Sequence, residues 1–180
     1  MATLDVRRHT MRAKPSQHLS QSGIDLARHV GAACQPFDLV VTSEKPRAIE
    51  TAIAMGFAVN RQITELGRLP DRVFAEFEWP QSLASIAERV KRNKRLSQYA
   101  GKQAGLWSSV LDGLSGGQSG LVITHGAIIE LGAIGFLPDA EHAEWGAAIG
   151  YCEGFRITRR KSGIVCEVLR VPPQFQSILN

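Results

Sequence analysis

Leu4 and Val6 alternate with polar neighbours, the period-two pattern of a short strand ending near Arg8. Ile24, Ala27 and Val30 form a helical stripe, with Ser22 and Asp25 spaced as a capping box at its start and Pro36 as its stop. Phe37 to Val41 is apolar except for Asp38 and predicts a strand buried on both faces. Pro46 opens the next helix and Gly56 closes it, with Ala48, Ile49, Ala52 and Ile53 facing inward. Phe57 to Leu66 reads as a loop feeding a third strand that ends at Thr64-Glu65. Ser82 to Tyr99 reads as one helix built on Leu83, Ile86 and Val90, and Gln103 to Leu114 as another. Leu121 to Thr124 is the clearest central strand, followed by a small-residue helix from Ala127 to Phe136 that Pro138 ends. Ala148 to Thr158 and Ile164 to Val171 predict a hairpin turning through Arg159 to Gly163.

Strands that alternate with helices predict an α/β fold: three α/β/α layers around a mostly parallel sheet, with the hairpin as an antiparallel edge. The 180 residues suit a single domain over 1–180, with a helical cover segment near 67–115. Cys34, Cys152 and Cys166 are odd in number and include no CxxC pair, which argues against a zinc ribbon or a disulfide framework and for reduced thiols in a cytoplasmic protein. No apolar signal segment opens the chain. The apolar stretch from Gly120 to Leu137 contains His125, Glu130 and several glycines, so no membrane span is expected. The 21 lysines and arginines exceed the 17 acids, a net charge of +4 that permits an anionic partner without demanding nucleic acid.

In an open parallel sheet, ligands bind beyond the carboxyl ends of the strands. Those ends carry Arg8-His9-Thr10, Thr42-Ser43 with Arg47 in the following helical turn, Thr64-Glu65, and Thr124-His125-Gly126. Two histidines, two arginines and a carboxylate suit phosphoryl transfer. A neutral imidazole is nucleophilic near pH 7, and forked guanidinium donors match the equatorial oxygens of a phosphoryl group. A carboxyl group can protonate the departing alcohol and later activate water.

The same residues carry a family resemblance. Val6-Arg7-Arg8-His9-Thr10 resembles the Arg-His-Gly motif of the histidine phosphatase superfamily, the phosphoglycerate-mutase-like proteins. Leu19 to Gly23 is similar to its leucine-threonine-x-x-glycine segment, and Val41 to Ala52 to its Ser-Ser-x-x-x-Arg-Ala-x-x-Thr-Ala segment. Ile63 to Leu66 resembles Leu-x-Glu, and Val122 to Gly126 resembles Val-x-Ser-His-Gly. The resemblance implies that His9 is the phosphorylated nucleophile. It implies that Arg8, Arg47 and His125 hold the phosphate, that Glu65 donates the proton, and that no metal or other cofactor is needed. Arg12, in place of a common small polar residue, is a candidate for a further anionic group of the substrate. Thr10 stands where the family has glycine, and a β-branched residue there is expected to alter loop shape and substrate access.

The implied activity is that of a histidine acid phosphatase or phosphoglycerate-mutase-like phosphohydrolase acting on a small-molecule phosphorylated substrate. The chain leaves little room for the insertions that shield the intermediate in family mutases, which favours hydrolysis. The alternative is a non-catalytic phosphate- or polyanion-binding module that retains the pocket. Two competing motifs fail on context. Gly113 to Gly117 fits G-x-S-x-G, but that motif needs strand, turn, helix, whereas helix, turn, strand is predicted. The basic run Arg89, Lys91, Arg92, Lys94 and Arg95 has no interleaved aromatic residue for base stacking, so nucleic acid is the weaker reading and a solvated face or cover the stronger. Oligomeric state is left open.

Overall fold

The computed structural model describes residues 1–179. Six strands form one sheet in the order β3-β2-β4-β1-β5-β6. They are β1 (Ala2–Arg8), β2 (Leu39–Thr42), β3 (Arg61–Gln62), β4 (Ser119–Thr124), β5 (Gly154–Arg160) and β6 (Gly163–Leu169). The first four run parallel, and β5 and β6 add the antiparallel hairpin. The helices are α1 (Gln21–Ala32), α2 (Pro46–Ala54), α3 (Asp71–Phe74), α4 (Leu83–Arg92), α5 (Lys94–Asp112) and α6 (Ile128–Phe136). No helix among the described residues is long and apolar enough to cross a membrane.

Alternation along the central strands divides the core into two layers. Leu121 and Ile123 of β4 face α1 and α2, where they meet Leu26, Ala27, Val30, Ala48 and Ala52. Leu4 and Val6 of β1 and Val122 of β4 face the other way, onto Leu83, Ile86, Trp107, Leu111 and Ile129 of α4, α5 and α6. The segment near 67–115 therefore supplies much of one core layer. Asp5, fully buried on β1, accepts both arms of the Arg156 guanidinium at 2.7 and 2.9 Å and Arg7 at 3.4 Å. A buried carboxylate on a central strand is tolerated because those donors satisfy it.

Several boundaries differ from expectation, each for a local reason. The cap of α1 is Ser20, not Ser22: the Ser20 amide bonds to the Met11 carbonyl at 3.0 Å, which aims its hydroxyl at the Gly23 amide. The inward face of α2 is Ala48, Thr51 and Ala52, with Ile53 59% exposed, because Thr51 Oγ1 accepts from the Thr10 amide and turns the helix toward the β1 end. The third strand is two residues long and ends at Gln62. Thr64–Gly67 is a 3₁₀ turn instead. The expected 82–99 helix breaks at Asn93, whose extended backbone stops α4 and whose side chain accepts from the Arg95 and Leu96 amides to start α5. The expected 103–114 helix is the continuation of α5. Ser115 lies in a turn between α5 and β4, the order expected of a loop serine.

Trp107 is fully buried and its ring occupies the space a side chain would need at Gly132. Trp107→Ala should therefore lower stability by about 3–5 kcal/mol, measured by urea unfolding.

Candidate functional site

Parallel pairing places the carboxyl ends of β1, β2 and β4 side by side. Arg8 is registered with Thr124 and Thr42 with Ile123, and the ladder continues one bond further, from the His9 amide to the Thr124 carbonyl at 2.9 Å. The residues just beyond these ends, His9, Ser43 and His125, consequently meet. The His9 and His125 rings lie 4.9 Å apart, and Ser43 Oγ is 2.7 Å from His125 Nε2. Antiparallel β5 begins at the same edge, so the loop before it brings Tyr151 to 5.9 Å from His9.

His9 is 6% exposed and its two nitrogens are differentiated. Nδ1 lies 2.6 Å from the Thr10 carbonyl, which can only accept, so Nδ1 carries the proton. Nε2 is then the lone-pair nitrogen, and Arg47 Nε donates to it at 3.1 Å. Burial foremost, and after it the charges of Arg8, Arg47 and Arg12, pull the His9 pKa down to about 3. His125 is held well below 6.5 by burial and then by its neighbours His9, Arg47, Lys45 and Arg8. Both rings are neutral across the physiological range.

Arg47, in the first turn of α2, spans from His9 to the Gln17 side chain, and its carbonyl is bonded by Thr51 Oγ1. Arg12 donates to the Ser16 carbonyl at 3.1 Å, close enough for its charge to act on His9 and Arg47. Arg8 is caged between the rings of Tyr151, 4.1 Å away, and Trp79, 5.0 Å away. Its terminal nitrogens donate to the carbonyls of Ile149 and Ile178 at 2.9 and 2.8 Å. Its charge therefore bears on the site while part of its fork is held by backbone. Glu65 lies on the 3₁₀ turn with its side chain exposed. Its carbonyl accepts from Gln103 Nε2 at 2.9 Å, and among the described residues its carboxylate bonds to none of Arg8, His9, Arg47 and His125. That turn nevertheless borders the site, because Gly67 brings its backbone against Ser43 and His125.

Thr10 occupies the expected glycine position without backbone strain: it is fully buried, and the left-handed residues at this edge are Ala127 and Cys152. His18 pairs with Glu50, His29 packs on Phe175, and His142 bonds to the Leu137 carbonyl. No group of three or more metal-ligating side chains occurs among the described residues.

Four contributors escaped sequence reasoning. Lys45, two residues before Arg47, is exposed, and partial burial of its ammonium and then the Arg47 charge lower its pKa. Trp79 and Tyr151 form the Arg8 cage. Glu130 is fully buried behind that cage, where Oε1 accepts from Trp79 Nε1 at 3.1 Å and from the Ile149 amide at 3.0 Å, and burial raises its pKa. The signal was present in one case only: a glutamate inside the apolar run 128–134 is costly unless bonded.

The sequence matches the histidine phosphatase superfamily (branch 1) over residues 3–171. The chain belongs to that superfamily. Among solved structures it is similar to phosphoserine phosphatase from Entamoeba histolytica in complex with 3-phosphoglyceric acid, at 15% identity and TM-score 0.69, covering 95% of this chain and 98% of that one. It is also similar to a mycobacterial glucosyl-3-phosphoglycerate phosphatase in complex with VO3, at 16% identity and TM-score 0.63, covering 92% and 96%. A phosphoglycerate mutase from Bacillus anthracis aligns at 15% identity and TM-score 0.57, covering 93% and 92%. At these identities the likeness is one of fold. No curated protein matches in sequence.

The neutral histidines link stability to pH. Unfolded, they titrate near 6.5, so between that value and the lower folded ones the unfolded chain binds more protons. Their contribution is complete above about pH 6.5 and is lost as pH falls toward 3. Urea midpoints measured from pH 7 to pH 4 should fall, and His9→Gln with His125→Gln should flatten that slope. Gly126 admits no side chain: a Cβ would lie 2.5 Å from Trp79 and 3.1 Å from the Arg8 guanidinium carbon. Gly126→Ala should displace both and lower kcat/KM for phosphoryl transfer by about 10- to 100-fold with the fold intact by circular dichroism.

Proposed function

We propose that this chain is a phosphatase that hydrolyses a phosphomonoester through a phosphohistidine on His9. The observation that carries this reading is the His9 tautomer, with Nδ1–H held by the Thr10 carbonyl and the Nε2 lone pair turned to Arg47. A substrate phosphoryl group takes the place of that lone pair's present partner. His9 Nε2 forms the N–P bond as the bond from phosphorus to the ester oxygen breaks. Arg47, Lys45 and Arg12 neutralise the phosphoryl oxygens, His125 sits beside the reacting centre, and Arg8 supplies charge from within its aromatic cage. The alcohol leaves with a proton, assigned to Glu65 at the rim. Water, giving a proton back to the Glu65 carboxylate, then attacks phosphorus, the N–P bond breaks, and His9 returns with inorganic phosphate as product.

Neutrality of His9 has a kinetic consequence. Phosphorylation needs no deprotonation of the nucleophile, so the low pKa keeps His9 competent at mildly acidic pH.

Brief incubation with a generic phosphomonoester, followed by rapid quench at alkaline pH and mass spectrometry, should place an added phosphoryl group on His9. His9→Ala should abolish adduct and turnover. Arg47→Ala should lower turnover by roughly 100- to 1000-fold. Glu65→Gln should slow a poor leaving group far more than an activated aryl phosphate. Phosphate binding without adduct or turnover between pH 5 and 8 would instead establish the non-catalytic module.

A further inference from the structure

A groove of about 390 Å³ lies between α3 and the first half of α5, its lining including Arg72, Val73, Lys94, Arg95, Tyr99 and Lys102. Its size falls within the range of small-ligand sites. Its floor is apolar and buried, formed by Val73 and the Tyr99 ring. Its walls carry four cations and no acid.

The charges do not cancel locally. Arg95 pairs with Glu76, which also accepts from Asn93. Asp71 neighbours Arg72 in the chain but does not line the groove. Among the described residues, no carboxylate pairs with Arg72, Lys94 or Lys102. The rest of the basic run behaves differently: Lys91 and Arg92 pair with Glu88, and Arg89 bonds to the Glu76 carbonyl. The break at Asn93 thus separates cations on α4 that share Glu88 from Lys94 and Lys102 on α5, which have no carboxylate partner among the described residues. Lys94, Gln98 and Lys102 recur every four residues and share one face, spanning roughly 12 Å of helix. Arg72 faces them from α3. Like charges at such distances are only partly screened at physiological salt, so the groove is an attractive seat for an anion.

The groove is separate from the phosphohistidine centre. The turn from Glu65 to Pro70 stands between them, fixed to α5 by Gln103 Nε2 on the Glu65 carbonyl and Tyr99 Oη on the Arg68 carbonyl, at 2.9 and 3.0 Å. We propose that the groove is a second anion site that holds an oligophosphate chain through Arg72, Lys94 and Lys102. A single phosphate is too small to meet cations spread along two helical turns, whereas a chain of phosphates reaches them together. Nucleic acid fits less well: the aromatic residue here is the buried Tyr99, with its hydroxyl committed to Arg68, so no base-stacking face is offered.

The test is calorimetric titration of the full chain with sodium tripolyphosphate in 0.15 M salt. Wild type should show two binding events. Combined Arg72→Gln, Lys94→Gln and Lys102→Gln should weaken one of them at least tenfold. The charge-conserving Lys94→Arg with Lys102→Arg should keep both. Arg47→Ala should weaken only the other event, which saturating orthophosphate should also suppress. ATP in place of tripolyphosphate tells whether the chain may carry a nucleoside, since binding of either probe that depends on the three cations supports the site. The proposal is overturned if the triple variant, with an unchanged melting temperature, titrates as wild type does. It is equally overturned if wild type shows a single event that Arg47→Ala abolishes. Neither outcome depends on whether His9 is phosphorylated.

Discussion

An imidazole can act as a nucleophile only through a nitrogen that bears no proton, and in His9 the 2.6 Å contact between Nδ1 and the Thr10 carbonyl decides which nitrogen that is. The contact is local, one residue along the chain, but its geometry depends on the whole edge of the sheet. The His9 amide is held by the Thr124 carbonyl, and the Thr10 amide by Thr51 of α2. Thr51 in turn grips the Arg47 carbonyl at 2.6 Å. One chain of bonds therefore positions the His9 ring and the Arg47 guanidinium that faces it. Core packing on both sides of β1 and β4 keeps this edge rigid.

The electrostatics follow from the same arrangement. Burial first, and then the cations crowded around the two imidazoles, make protonating either ring unfavourable. The positive field that adds to this burial effect is also the field that a phosphoryl dianion would neutralise. Arg8 shows how such a charge can be kept in a dry place: aromatic faces cover it, backbone carbonyls accept from it, and buried Glu130 stands behind the cage.

Much of this arrangement was legible in the chain because short motifs at strand ends become neighbours in any parallel sheet. His9, Arg47 and His125 sit where alternation and the family resemblance placed them. The parts that were not legible depend on tertiary partners. Ser20 and Ser22 are equivalent as caps until the Met11 carbonyl selects one. Ile53 looks like a core residue until Thr51 claims the inward face. Asn93 reads as one more polar residue in a helical run, yet its side chain serves as the cap of a new helix. Lys45, Trp79 and Tyr151 come from three separate segments, and no spacing rule joins them. The Glu65 assignment came from a motif, and the structure puts its carboxylate at the exposed rim of the site.

The protonation state of the His9 ring governs this chemistry, and nitrogen-15 NMR of histidine-labelled protein reads it directly. The account predicts that His9 is neutral with its proton on Nδ1 throughout pH 5 to 8. A proton on Nε2 in the neutral ring, or a His9 titration near pH 6.5, would contradict it.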